Sequence, residues 1–398
     1  MSHSDSRASA PPTLRVMPDR SLLTPDQTRL PIEHVLCRLA SLADCEYAIV
    51  SMQVRGAPLI GAVAGFGLAF GVADRADDEA VRVAMARLAA TRPTAVNLRW
   101  ALQRVHARIV ALPVATRAAA AWDEACAIAK EDAAINEALG LAGAQLLREQ
   151  IARRAQSGRP VSAAEPLNVL THCNAGRLAT VAHGTALAPV YALYEAGVAV
   201  HVWVDETRPR NQGASLTAWE LAEAGVPCTV VADNAGGWLM RDGRVDAVIV
   251  GCDRVAANGD VANKIGTYLK ALAARDTGVP FWVACPTPTL DASLPSGQDI
   301  PIEMRSPDEV THIQGRDASG RAAQVCLVPA GVTALNPAFD VTPAVLVDGL
   351  ITEVGVYAAS PTGVAQALAA AAARRAPAVA TSAATSDAAC AAVPPRQP

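Results

Sequence analysis

Up to about residue 160 the apolar positions recur at helical spacing. Beyond it they gather into short runs. Residues 94–112, which follow Pro93, carry apolar side chains every three or four positions and predict a helix. Residues 115–155 read as one long helix or a helical pair, with Trp122, Ile128, Ile135, Leu139, Leu146 and Leu147 on the inner side. Ser157-Gly158-Arg159-Pro160 and Glu165-Pro166 then punctuate the pattern. Downstream, β-rich runs fall at 167–173, 198–204, 227–232, 245–251, 279–285 and 344–347. Helix-like segments such as 214–224 and 263–274 separate several of them, the mark of βαβ units around a parallel sheet and hence of an α/β fold. Residues 1–28 and 369–398 show no pattern capable of packing and are expected to be loose tails. The ordered part is expected to divide into residues 29–160 and 161–368. No internal repeat is visible.

Composition narrows the class. The 398 residues suggest about two domains, and 51% apolar residues suffice for a substantial core. A net charge of −4 without a long basic run argues against nucleic acid as a partner. The nine cysteines have no CxxC spacing, and Cys173, Cys252 and Cys285 sit in or at the ends of strand-like runs. That scatter fits a reducing cytoplasm better than a disulfide or zinc scaffold. No signal-peptide pattern opens the chain, and the apolar run 56–70 is too short and interrupted to span a membrane.

Polar residues concentrate at the strand ends. In VIVGCDRVAANGDVANKIGTYLK (248–270) an apolar strand ends in Cys252-Asp253-Arg254, and a helix is expected to open at Ala262-Asn263-Lys264. A carboxylate at a strand's carboxyl end and an amide-ammonium pair at a helix start suit a ligand crevice and an anion. The plainer reading makes Asp253 a cap in a connecting loop. Cys173, in Thr171-His172-Cys173-Asn174-Ala175-Gly176, would face free amides at a helix start that favour its thiolate. A buried structural cysteine is the alternative. His172 points to the other face of its strand and reads as structural. Arg55-Gly56-Ala57-Pro58 and Arg92 offer guanidinium forks and close backbone approach to a phosphate. No GxxxxGK[ST] or GxGxxG pattern accompanies them, so a small phosphorylated metabolite fits better than a nucleotide. The charged stretch 205–213, ending in Gln212-Gly213, is expected to line a wet crevice.

Taken in order, RGAP (55–58), TRPTAVNL (91–98), THCNAG (171–176), ETRPRNQGASLTAWEL (206–221), DRVAANGDVANKIGTY (253–268), PSGQDIPIE (295–303) and NPAFDVTP (336–343) resemble the methylthioribose-1-phosphate isomerase family. These are aldose–ketose isomerases of methionine salvage. The resemblance covers residues 30–365. It implies a small, mostly helical N-terminal domain followed by a Rossmann-like parallel-sheet domain, and a cytoplasmic homodimer. The active site would lie in the interdomain cleft and use no metal or nucleotide cofactor. By motif, it implies Cys173 and Asp253 as the catalytic pair, with Arg55, Gly56, Ala57, Arg92, Gln212, Asn263 and Lys264 holding a sugar phosphate. Arg177, Asn211 and Cys252 depart from the pattern, and Arg177 is close enough to Cys173 to alter substrate choice. Two alternatives share the likeness: an isomerase of another 5-substituted ribose 1-phosphate (the 5-deoxy or 5-phospho sugar), and a non-catalytic regulatory subunit of the initiation-factor exchange complex.

The implied chemistry fits the residues. A phosphate on the anomeric oxygen locks the sugar ring, so opening requires an acid, and a carboxyl serves near neutrality only if its pKa is raised. Asp253 follows an apolar strand, where desolvation acts in that direction. Cys173 would then carry a proton between C2 and C1 or flank a direct hydride shift.

Overall fold

The structure, a computed structural model, describes residues 11–375. It opens with a small antiparallel sheet of β1 (Arg15–Val16), β2 (Leu22–Pro25) and β3 (Leu36–Leu39). Residues 13–28 are therefore not a loose tail. Leu14 and Leu22 are buried in the helical core, and the Thr13 N–H donates to the Val181 carbonyl at 2.8 Å. Strands this short carry too few residues to show alternation in sequence.

Five helices follow: α1 (Leu42–Val50), α2 (Ala57–Gly71), α3 (Asp78–Thr91), α4 (Val96–Ile109) and α5 (Val114–Gln156). Helix α2 is apolar all round because it is buried all round, from Leu59 to Ala69, by the helices about it. Gly61 permits a close approach to α4: a Cβ there would lie 2.9 Å from the Asn97 carbonyl oxygen. Helix α5 runs unbroken for 43 residues. Its Ala121, Ala125 and Ile128 belong to the helical core, whereas Leu139, Ala144 and Leu147 belong to a second core against the main sheet.

The second half contains β4 (Leu167–Thr171), α6 (Ala188–Glu195), β5 (Val200–Asp205), α7 (Ala218–Glu223), β6 (Cys228–Val231), α8 (Ala235–Arg241), β7 (Ala247–Val250), β8 (Arg254–Ala256), β9 (Val261–Lys264), α9 (Thr267–Thr277), β10 (Phe281–Ala284) and β11 (Leu290–Asp291). It continues with α10 (Asp308–Thr311), the hairpin β12 (His312–Arg316) and β13 (Ala322–Cys326), β14 (Phe339–Thr342), β15 (Gly349–Thr352), β16 (Gly355–Tyr357) and α11 (Pro361–Arg375). The main sheet has the order β16-β15-β10-β7-β4-β5-β6. All its pairings are parallel except β15–β16. The chain is thus a mixed α/β protein. Strands β7, β10 and β15 are buried at every position, as expected for parallel strands covered on both faces. From β4 the winding runs outward through β5 and β6, then returns to β7 and proceeds the other way. That is the doubly wound order, and its switch point lies between β4 and β7.

Three expectations need correction. The helix expected over 263–274 begins only at Thr267. Val261–Lys264 is instead a strand, paired antiparallel with β8 and with the distant β14. The run 344–347 is a single 3-10 turn, Ala344–Leu346, and the sheet strand starts at Gly349. The C-terminal tail expected from residue 369 begins later, since α11 continues to Arg375 with Val364, Ala367 and Ala371 buried. Residues 1–10 and 376–398 of the expected tails lie outside the described residues. Among the described residues no helix is long and apolar enough to cross a membrane.

Candidate active site

Ligands of doubly wound sheets bind beyond the carboxyl ends of the strands at the switch point. Here β4 delivers Cys173 to that place and β7 delivers Asp253. Cys173 turns the chain at φ +67°, in the left-handed region that side chains rarely occupy. Two hydroxyls hold it there. Its N–H donates to Thr207 Oγ1 and its carbonyl accepts from Thr217 Oγ1, each at 2.7 Å. The thiol donates to Gln212 Oε1 at 3.4 Å. No α-helix opens after Cys173; only the 3-10 turn Arg177–Ala179 follows. The expected helix-start stabilisation of a thiolate is therefore missing. The Asp253 N–H donates to the Ala262 carbonyl at 2.9 Å, which sets it against β9 and its Asn263 and Lys264.

The helical half supplies the opposite wall. Arg55 and Gly56 lead into α2, and Arg92 ends α3. Gly56 adopts φ +93°, and a Cβ on it would lie 2.5 Å from Ala179 Cα, so only glycine lets α2 begin against the turn behind Cys173. Cys173, Asp253, Arg55, Gly56, Ala57, Arg92, Gln212, Asn263 and Lys264 all line one cavity. Sequence reasoning thus singled out nine residues that the fold brings together.

Burial dominates the electrostatics. It pushes the Asp253 carboxyl above the ordinary carboxylate value, against the opposing charges of Lys264, Arg55 and Arg92. It pulls the Lys264 ammonium down, against the charges of Cys173 and Asp253. Lys264 Nζ lies 4.5 Å from the centre of the Phe339 ring, which partly replaces lost water. Arg92 donates to Glu303 Oε2 at 3.0 Å.

Several residues that matter here were not singled out in the sequence. The Arg55 guanidinium donates to both oxygens of Asn174, its side-chain Oδ1 and, at 2.7 Å, its backbone carbonyl. Asn174 Nδ2 in turn donates to Glu220 Oε1 at 2.6 Å and to Thr217 Oγ1 at 3.1 Å. Glu220 is fully buried, and burial raises its pKa. This chain fixes which way the Asn174 amide faces and so aims the Arg55 fork. Asn174 and Glu220 both lay within quoted motifs, but neither was singled out, Glu220 being otherwise only an acid in an apolar helical run. Arg305 also lines the cavity, with Nη1 buried and without a partner.

Two expectations about charged loops also change. Arg177 does not line the cavity. Its guanidinium lies 5.3 Å over the Tyr191 ring with Nε 3.8 Å from Glu220, so it turns into the protein. Asp205, expected in a wet crevice, is fully buried and lies 3.2 Å from Lys270 Nζ. Among the described residues one group of potential metal ligands lies close together: His172, Asp205 and Asp233. His172 Nδ1 and Lys270 Nζ lie 3.1 and 3.2 Å from the same Asp205 oxygen, so these side chains already bond one another.

Comparison with known proteins agrees with this geometry. The model of the initiation factor 2 subunit family matches residues 53–359. The methylthioribose-1-phosphate isomerase of Gluconobacter oxydans is 57% identical over 339 residues, covering 85% of this chain and 90% of that protein. The chain belongs to the methylthioribose-1-phosphate isomerase family, within the initiation factor 2 subunit family. Among solved structures, 5-methylthioribose 1-phosphate isomerase from Pyrococcus horikoshii OT3 is 39% identical with a TM-score of 0.76, covering 90% of this chain and 96% of that one. The translation initiation factor eIF-2B subunit delta from A. fulgidus is 35% identical with a TM-score of 0.72, covering 90% and 100%. The wider family thus includes an initiation-factor subunit, whereas the relatives matched at 57% identity over most of both chains are isomerases.

Proposed function

We infer that the chain is an aldose–ketose isomerase that converts 5-methylthioribose 1-phosphate to 5-methylthioribulose 1-phosphate. The observation that carries this reading is the meeting of Cys173 and Asp253 in one cavity, ringed by Arg55, Arg92 and Lys264. A binding subunit has no use for a desolvated acid and a thiol lining one cavity. Arg55, Arg92 and Lys264 take the phosphate, and Gly56, Ala57, Gln212 and Asn263 complete the hold on the sugar phosphate. Asp253, whose carboxyl burial pushes above the ordinary carboxylate value, donates its proton to the ring oxygen as its bond to C1 breaks. The hydrogen on C2 then moves to C1, either carried as a proton by Cys173 or shifted directly as hydride. The C2 hydroxyl gives up its proton to the Asp253 carboxylate as the ketone forms, which restores the acid. Anchoring the phosphate turns binding energy into orientation of the reacting carbons.

We propose further that the protein is a cytoplasmic homodimer whose helical and sheet units close over the site. The thiols of Cys37, Cys45, Cys173, Cys228, Cys252, Cys285 and Cys326 suit a reducing compartment. Proton NMR of the purified protein with 5-methylthioribose 1-phosphate, its 5-deoxy analogue and ribose 1,5-bisphosphate tests the assignment. Ketose should form fastest from the methylthio sugar. A faster analogue would reassign the substrate, and no ketose from any of the three would return the chain to the binding-protein reading.

A further inference from the structure

His172 was expected to be a structural residue, but its surroundings assign it more. The ring is buried, and the residue also lines the cavity. Nε2 lies 2.8 Å from the Ile265 carbonyl oxygen, an atom that can only accept. Nδ1 lies 3.1 Å from Asp205 Oδ2 and 4.0 Å from Asp233 Oδ1. Lys270 Nζ, a donor only, lies 3.2 Å from the same Asp205 oxygen, against any donor role for that oxygen toward the ring. Both ring nitrogens therefore face acceptors, and a neutral imidazole can donate through only one.

We propose that His172 is held as an imidazolium donating from both nitrogens, and that it is a positioning residue for the isomerase site. Its backbone leads directly into Cys173. Its Nε2–H bond fixes Ile265, the residue next to Lys264. Its Nδ1–H bond ties both segments to the end of β5. One ring thus sets the distance between the thiol and the phosphate-holding ammonium.

A separate observation points the same way. Gly266 adopts φ +102°, and a Cβ there would lie 3.0 Å from both Cε1 and Nε2 of His172. The chain past Lys264 is shaped to pass against this ring. The charged groups facing it are Asp205, Asp233, Lys270 and Asp340. The last of these accepts from the Gly266 N–H at 2.7 Å and feels the His172 charge. The two cations are matched by carboxylates, so the imidazolium is not a lone buried charge.

The positioning role rests on the isomerase reading; the protonation state does not. The test uses the full-length protein with nitrogen-15 histidine, the His172 signals being assigned by their loss in His172→Gln. At neutral pH both ring nitrogens should show the imidazolium signature, and a neutral tautomer would overturn the proposal. His172→Gln and His172→Asn each keep one amide donor, so kcat per folded molecule should fall about a hundredfold, the loss a misplacement of about 1 Å produces. Affinity for the ketose product should change by no more than about threefold, because the phosphate contacts remain. Near-normal kcat in either variant would remove the positioning role, whereas a merely structural residue would lower yield and leave kcat of the folded fraction intact. Should the variants fail to fold, the spectrum of the unmodified protein, assigned by elimination among its seven histidines, still decides the protonation state. Absence of turnover in the unmodified protein would instead defeat the functional reading and leave the spectrum to be judged alone.

Discussion

Asp132, on the long helix α5, gives a stability prediction whose sign and size follow from its surroundings. Its Oδ2 accepts from the Val181 N–H at 2.7 Å. Burial pushes its carboxyl from 3.8 up to about 7, with hydrogen bonds from Val181 and Asn136 opposing the rise. Between those two values the native state holds a proton that the unfolded chain has already released. Stability from this group is therefore greatest below the unfolded value, declines as pH rises, and is flat above about 7. At about 1.4 kcal/mol for each pH unit, the interval corresponds to roughly 4 kcal/mol. Solvent still reaches part of the residue, so screening brings the expected effect nearer 2 kcal/mol. Asp132→Asn keeps an oxygen to accept from Val181 and removes the charge. It should stabilise the protein by about 2 kcal/mol near pH 8 and by almost nothing near pH 4. Urea midpoints of the two proteins at both pH values measure the difference. An Asn variant that is less stable near pH 8, or that gains equally at both, would refute the reasoning.

Asp253→Asn should lower turnover by about two to four orders of magnitude, with product affinity much less affected; near-normal turnover would mean the acid lies elsewhere. Arg55→Lys keeps the charge but loses the two-pronged grip of Asn174, so titration with the phosphorylated ketose should show at least about a tenfold weaker affinity. Cys173→Ser should bind substrate and fail to isomerise it, and product should protect Cys173 from a small thiol reagent; mass spectrometry locating the inactivating label on Cys252 or Cys285 alone would move the thiol. Deleting residues 1–28 strips Leu14 and Leu22 from the helical core, and calorimetry should show a loss of several kcal/mol, at about 1.5–3 kcal/mol for each buried leucine.

Unlike β15 and β16, strands β4, β5, β6, β7 and β10 of the main sheet were legible because each is a short apolar run closed by turn residues. Their ends, where Cys173 and Asp253 sit, were legible for the same reason. What failed depends on distant partners. Val261–Lys264 alternates too briefly to declare itself, and it becomes a strand because Phe339–Thr342 comes to lie beside it. The 13–28 segment likewise acquires its place from β3 and Val181. Ala344, Val345 and Leu346 look like a strand but follow Pro343, and they close into one 3-10 turn. Asn174 and Glu220 illustrate a third limit. A buried polar chain leaves no periodic trace, because each member is justified only by the next one along.

The unbroken course of α5 through both cores bears on how the protein comes apart. At about 1.5 Å per residue it is a rod of roughly 65 Å, and the helical core and the sheet core each grip a different stretch of it. Melting either core frees half of that rod and withdraws a lateral support from the other. Loss of order should therefore spread along the helix and appear as one heat-absorption peak. A fragment cut at residue 160 would carry away a helix whose last apolar stripe has lost its seat, and such a fragment should aggregate through it.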